Sequence, residues 1–144
     1  NVNQYDWYPM VRGRLVAVSS IAGLVATPMR STYAAAKHAI AAFYNSLRAE
    51  IYDNGVYVSV IYPGFVKTNI TFSALTADGS PKNKMDDAQD AAMSPQEFAK
   101  QAVKALAIGE EHIIIGGLKE KLAVYVDRAS PAAVRWLMRK VKVV

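Results

Sequence analysis

Apolar residues in this chain gather into short runs separated by polar, Gly-marked or Pro-marked breaks, and the runs differ in period. Residues 14–20 (Arg-Leu-Val-Ala-Val-Ser-Ser) read as a short buried strand, β-branched and bounded by Gly13 and a Ser/Gly turn. Residues 31–53 read as a long helix, with Ser31 or Thr32 available to cap its start and Asn54-Gly55 to end it. Residues 56–62 (Val-Tyr-Val-Ser-Val-Ile-Tyr) form the clearest strand, stopped by Pro63-Gly64. Strand, helix, strand is a βαβ unit. Strands this continuously apolar suit a parallel sheet covered on both faces.

Beyond Val66 the regularity fades until about Ser94. Polar, turn-prone stretches (Ala77 to Pro81, Asp86-Asp87) alternate with Phe72, Leu75 and Met85, the pattern of a lid, so residues 66–95 are assigned to a substrate lid. Ser94-Pro95-Gln96-Glu97 is a helix start, with serine as cap and proline at the first helical position. That helix is predicted to run to about Ile108, followed by a short strand at 112–115 closed by Gly116-Gly117. Leu118 to Arg128 and Ala132 to about Lys142 read as two further helices separated by Ser130-Pro131. No internal repeat or low-complexity block interrupts the series.

Composition narrows the classes. With 144 residues, one domain spanning 1–144 is expected, and a hydrophobic fraction of 52% supports a buried core rather than disorder. No cysteine is present, which removes disulfides and thiolate metal sites and fits a reducing, cytoplasmic setting. The two histidines, His38 and His112, lie far apart, and the carboxylates at Asp86, Asp87 and Asp90 read as solvated loop residues, so no metal site is expected. No charged-then-apolar leader follows Asn1, and no apolar run approaches the ~18 residues of a membrane span. The net charge of +5 comes entirely from residues 128–144, where Arg128, Arg135, Arg139, Lys140 and Lys142 meet no acid. A neutral body with a basic tail does not suggest a nucleic-acid binder. On a helical wheel Arg128, Arg135, Arg139 and Lys142 share one side, opposite Ala133, Leu137, Val141 and Val144. Residues 129–144 are therefore a basic amphipathic tail, open either to packing on its own domain or to peripheral contact with an anionic membrane through residues 128–144.

The chemistry is concentrated in three places. Tyr33 and Lys37 stand at i and i+4 near the start of the long helix, on one face. A free phenol is a poor base at neutral pH, and a neighbouring ammonium favours its ionised form. Tyr33 can then exchange a proton with a substrate oxygen, while Ser20, at the end of its strand, can hold the same oxygen as charge develops on it. Tyr-x-x-x-Lys alone is common by chance. Ser19-Ser20-x-x-Gly23 thirteen positions earlier and Pro63-Gly64-x-x-x-Thr68 after the next strand make the set specific.

Together these segments, spanning most of residues 12–70, resemble the short-chain dehydrogenase/reductase family. The resemblance implies a Rossmann-like doubly wound parallel sheet with C-terminal helices. It also implies NAD or NADP as cofactor and a secondary alcohol or ketone as substrate. By resemblance Ser20 orients the substrate, Tyr33 is the acid/base, and Lys37 bonds the nicotinamide ribose and assists the tyrosine. Pro63, Gly64, Val66 and Thr68 match the turn that lines the nicotinamide, with Val66 acting through its backbone. The apolar residues of the lid favour a hydrophobic substrate.

Departures from the family pattern are equally informative. The eight glycines include no Gly-rich cofactor turn, and the early cofactor selector is absent. Asn1 and Asn3 precede Ser20 by less than the family's catalytic asparagine would, so that role is carried to neither. Tyr8 to Val11 resemble the end of the preceding helix. The chain is thus expected to be the second half only of an incomplete doubly wound sheet, with impaired activity by itself and a homo-oligomer when complete. The alanine run at 34–36, 39, 41 and 42 fits either core packing or a dimer interface. The rival expectation is a non-catalytic remnant serving as a dimerisation or membrane-surface module.

Overall fold

The computed structural model describes residues 13–68 and 92–140. Three strands, β1 (Gly13–Val18), β2 (Val56–Pro63) and β3 (His112–Ile115), pair in that order and all run parallel. Leu15 stands opposite Val58, and Ile61 opposite Ile113. β2 is central, and every residue from Val58 to Tyr62 is buried. That continuity is what a strand covered on both faces requires.

Alternate side chains of β2 divide the core between two layers of helix. Val60 and Tyr62 pack with Ala17 and with Ala41 of α1 (Ser31–Glu50). Ile61 packs the other way, with Ile113, Ile115 and the Ala102 and Ala105 of α2 (Pro95–Ala107). Small alanines on both helices let their backbones approach the sheet closely. α2 begins as anticipated: Ser94 Oγ accepts the Glu97 N–H at 3.2 Å, and Pro95 occupies the first helical position. Two further helices, α3 (Leu118–Ala129) and α4 (Pro131–Met138), close a third cluster of Val25, Val124 and Val134. The βαβ unit and the helices on both faces agree with the sequence.

The ends of α1 differ from expectation. Arg30, not Ser31 or Thr32, holds the cap position, and no side chain caps the helix there. The regular helix stops at Glu50, and residues Tyr52–Asn54 tighten into a 3-10 turn before Gly55 at φ 71°. The last turn is clamped by Arg48. Its Nε donates to Val58 O at 2.8 Å, its Nη2 to Glu111 O at 2.9 Å and its Nη1 to Asn45 Oδ1 at 2.8 Å.

The basic tail is also rearranged. Pro131 lacks an N–H and starts a new helix, so Arg128 ends α3 while Arg135 lies on α4. The two do not share one helical face, and Arg128 instead reaches His112, Nη2 to Nε2 at 2.7 Å. The side of α4 turned inward is Val134 with Met138, four residues on, whereas Ala133 and Leu137 are exposed. The helix expected to continue to about Lys142 ends at Met138, and residues 141–144 lie outside the described residues. So do most of the expected lid (69–91), its Asp86, Asp87 and Asp90, and Tyr8 to Val11. Of the alanine run on α1, Ala34 and Ala41 are buried, while Ala35, Ala36, Ala39 and Ala42 are exposed. No helix among the described residues is long and apolar enough to cross a membrane.

Candidate active site

The carboxyl ends of β1 and β2 lie side by side, where ligands of open parallel sheets bind. Ser20 follows β1 in extended conformation and caps the 3-10 turn Ile21–Gly23, its Oγ accepting the Ala22 N–H at 3.1 Å. The same hydroxyl donates, at a long 3.4 Å, to the carbonyl of Pro63 at the end of β2. That bond is weak enough to be exchanged for another acceptor. Gly23 allows the turn to press on α1. A Cβ there would stand 2.5 Å from Ser19 Oγ and 2.7 Å from the Lys37 carbonyl oxygen.

α1 brings the other two groups to this edge. Lys37 Nζ donates to Val18 O, the last carbonyl of β1, at 3.3 Å and stands 5.7 Å from the centre of the Tyr33 ring. The i, i+4 spacing thus places both side chains on one face, as anticipated. Tyr33 is 43% exposed. His38, next in sequence, turns away and binds its Nδ1 to Ala34 O at 2.8 Å.

Beyond β2 the turn is tied down from two sides. Gly64 N donates to Ile115 O at 2.7 Å, and Val66 bridges Met93 through the Lys67 N–H, which donates to Met93 O at 2.9 Å. Because that bond belongs to Lys67, Val66's own N–H is not its donor. Pro63, Gly64 and Val66 are half-buried here, and Thr68 is exposed. Gly64 lies against the strand-end glycine next door: a Cβ on it would come within 3.2 Å of Gly116 Cα and 3.1 Å of Glu120 Oε1.

Ser20, Tyr33, Lys37 and Pro63 are therefore drawn to one sheet edge, with Val66 and Thr68 just past it. Sequence reasoning gave no role to three residues at the junctions of α1. Buried Ser19 donates from Oγ to Lys37 O at 2.8 Å, Arg48 clamps the far end of α1, and Arg30 places its guanidinium 5.7 Å from the Phe65 ring centre. The paired serines and the arginine at the helix C-terminus were visible signals. Nothing in the local pattern announced Arg30.

Behind the edge sits an aromatic pair, Tyr62 and His112, with ring centres 4.4 Å apart. Burial pushes the Tyr62 phenol above its ordinary range against the opposing pull of Asn45, Arg48 and Arg128. Burial, then Arg128 and Arg48, hold His112 below its ordinary value.

Residues 7–78 match the profile of a family described as short chain dehydrogenase. The chain is similar to dehydrogenase/reductase SDR family protein 7-like of Anopheles gambiae, 38% identical over 128 residues, covering 89% of this chain and 40% of that protein. It is 39% identical over 120 residues to dehydrogenase/reductase SDR family member 7B of Danio rerio, covering 83% and 39%. The chain thus spans about two fifths of the length of these curated relatives. Among solved structures, a Burkholderia cenocepacia short chain dehydrogenase in complex with NADP matches with TM-score 0.68 at 20% identity, over 88% of this chain and 47% of that one. A Burkholderia phymatum short chain dehydrogenase/reductase in complex with NAD matches with TM-score 0.59 at 20% identity, with the same 88% and 47% coverage. At such identity the likeness is one of fold, and the fold is Rossmann-like.

Proposed function

Because this chain belongs to the short-chain dehydrogenase family, we propose that it carries the proton-handling part of an oxidoreductase acting on a secondary alcohol or ketone. One observation carries the reading. Lys37 Nζ, anchored on the last carbonyl of β1, stands beside the Tyr33 ring at the same sheet edge where Ser20 bridges to Pro63.

NAD or NADP fits this edge. The carboxyl ends of parallel strands face it, and the glycine contact between Gly64 and Gly116 keeps the turn free of side-chain bulk. Tyr33, Lys37, Pro63, Gly64, Val66 and Thr68 are the residues that would hold the nicotinamide end. When bound, the cofactor supplies or accepts the hydride. Ser20 gives up its long bond to Pro63 and donates to the substrate oxygen. Tyr33 passes the proton to that oxygen, or removes it in the reverse direction. Lys37 supplies the fixed positive charge beside the phenol, and its ribose contact would use a second of its three N–H donors. A Gly-rich cradle for the rest of the dinucleotide would have to come from residues other than these. The substrate body is hydrophobic in this reading.

The test is reduction of a panel of hydrophobic ketones by the full-length protein with NADH or NADPH, beside Tyr33→Phe. Turnover that survives the substitution would sink the assignment.

A second reading, a non-catalytic pairing or membrane-surface module, is favoured by one exposed set. Leu15, Val16 and Val18 of β1 are 42%, 42% and 52% exposed, on a strand that pairs only with β2 among the described residues. Trp136 is also exposed on α4, with Lys140 Nζ 3.8 Å from its ring centre, a pairing suited to an anionic membrane surface. Turnover of a ketone with reduced cofactor by the full-length protein would exclude the non-catalytic reading.

A further inference from the structure

Arg30 is the last residue before α1, three positions ahead of Tyr33. Its guanidinium lies over the ring of Phe65, 5.7 Å from the centre. Phe65 in turn follows the Pro63–Gly64 turn to which Ser20 is bonded. The side chain therefore spans from the entry of the helix bearing Tyr33 and Lys37 to the turn beyond β2, along the edge where a carbonyl substrate would sit.

Two features set this arginine apart from an ordinary surface cation. First, it forms no ion pair and no side-chain hydrogen bond among the described residues; the ion pair found there is Arg48 with Glu111. Glu120, whose carboxylate lies over Gly64 and Gly117, does not pair with it either. A guanidinium stacked on a ring spends its face and keeps its five in-plane N–H donors for an acceptor. Second, the residue before it is strained. Met29 has φ 61°, a left-handed conformation that an unbranched L-residue rarely adopts, yet it is 87% exposed and gains little from packing. Strain held at an exposed position beside a candidate site fixes how the chain enters α1 and so how Arg30 is presented.

We propose that Arg30 is a specificity-determining residue that receives an anionic group, carboxylate or phosphate, carried by the carbonyl substrate. The inference rests on the reductase reading above and deepens it: the substrate is an amphiphile with an apolar body, a reducible carbonyl at Tyr33 and an acid group at Arg30. A planar fork of donors suits either anion, through paired N–H bonds. The phosphates of the cofactor offer the same chemistry, so the experiment must separate the two sources.

The experiment uses the full-length protein with reduced nicotinamide and three matched ketones: a medium-chain keto acid, its methyl ester, and the corresponding phosphate monoester. The expected result is a KM for the acid or the phosphate about tenfold or more below that of the ester. Arg30→Met should erase this preference while leaving the ester KM and the cofactor Kd unchanged, and Arg30→Lys should restore part of it. Equal KM values for acid and ester in the unsubstituted protein would overturn the proposal. So would an Arg30→Met variant that weakens ester and acid alike, which would make the arginine structural, or one that weakens the cofactor, which would assign it to the cofactor phosphates. If no ketone is turned over, the reductase reading is what fails. Calorimetric binding of keto acid against ester then decides on Arg30 alone: a preference lost in Arg30→Met supports it, and equal binding overturns it.

Discussion

Buried Ser19 donates its hydroxyl to the backbone carbonyl of Lys37 at 2.8 Å, joining the end of β1 to the second turn of α1. A carbonyl oxygen has two lone pairs, so this bond adds to the helical ladder rather than competing with it. The neighbouring serine faces the other way, since Ser20 reaches Pro63. One pair of adjacent residues thus ties the first strand both to the helix and to the second strand. With Arg48 clamping the far end of α1, the helix that carries Tyr33 and Lys37 is held at two points.

Gly23→Ala should disturb this junction. Its Cβ would stand 2.7 Å from the Lys37 carbonyl oxygen, a backbone atom that cannot swing aside. A loss of about 1–3 kcal/mol is expected by urea unfolding, with a fall in turnover as Ser20 moves relative to Tyr33. Ser19→Ala should cost about 1 kcal/mol, because the carbonyl keeps its helical partner. An unchanged unfolding midpoint for Gly23→Ala would mean that the turn does not press on the helix.

The parts of this architecture legible in sequence are those set by local pattern. β3 falls on 112–115 as expected, and Ser94 and Pro95 start α2 as their chemistry dictates. The placement of Ser20 just past a strand and of Tyr33 and Lys37 on one helix face could be read from spacing, because strand end and helix face are periodic features, whereas their roles were implied by the family resemblance. What stayed hidden depends on distances between remote segments. The Ser19–Lys37 bond spans 18 positions and Arg48–Glu111 spans 63, and no window of sequence contains both partners. Arg128 departs from the helical wheel for the same reason: its side chain follows His112, across α3 and β3. Ser31 and Thr32 look like caps, yet the chain enters α1 through the strained Met29, which places Arg30 at the cap.

Substitutions at Tyr33 and Lys37 should separate two functions. Tyr33→Phe removes only the proton-carrying hydroxyl, so turnover in the full-length protein should fall about 10²–10⁴-fold with cofactor affinity nearly intact. Lys37→Met also removes the ammonium that bonds Val18 O at 3.3 Å. Both turnover and cofactor affinity should then decline. Cofactor titration by fluorescence, run beside steady-state rates, checks the pair; an unchanged cofactor Kd in Lys37→Met contradicts the double role.

Tyr62 offers a test of polar burial. It is fully buried, and its hydroxyl makes no hydrogen bond of normal geometry, although Asn45 is close enough to oppose the upward shift of the phenol. Deleting an unpaired buried hydroxyl removes a desolvation cost, so Tyr62→Phe should be neutral or stabilising by up to about 1 kcal/mol. Tyr62→Ala should instead lose about 3–5 kcal/mol through the cavity left in the sheet core. Should Tyr62→Phe destabilise by more than about 1 kcal/mol, Asn45 would be a true partner.

His112 should make stability fall on the acid side of neutrality. Its Nε2 lies 2.7 Å from Arg128 Nη2, a contact in which the guanidinium donates and the imidazole must be neutral, with its proton on Nδ1. Arg48 on α1 adds a second positive charge, and the ring rests 4.4 Å from that of Tyr62 on β2. Burial first and the two arginines next hold the group below its ordinary 6.5. The unfolded chain therefore takes up this proton at a higher pH than the folded one does. Stability from His112 is fully present above 6.5 and is lost as pH falls through that value toward the lower folded one. Protonation also turns the Arg128 contact from a bond into a repulsion, so α3 should loosen from β3 first. His112→Gln keeps an acceptor for Arg128 and does not titrate. Urea unfolding at about pH 7.5 and about pH 5 should show a larger drop for the unsubstituted chain than for His112→Gln. His38 is present in both proteins, so the difference between them isolates His112, and equal drops would show that the imidazole is not held neutral by its surroundings.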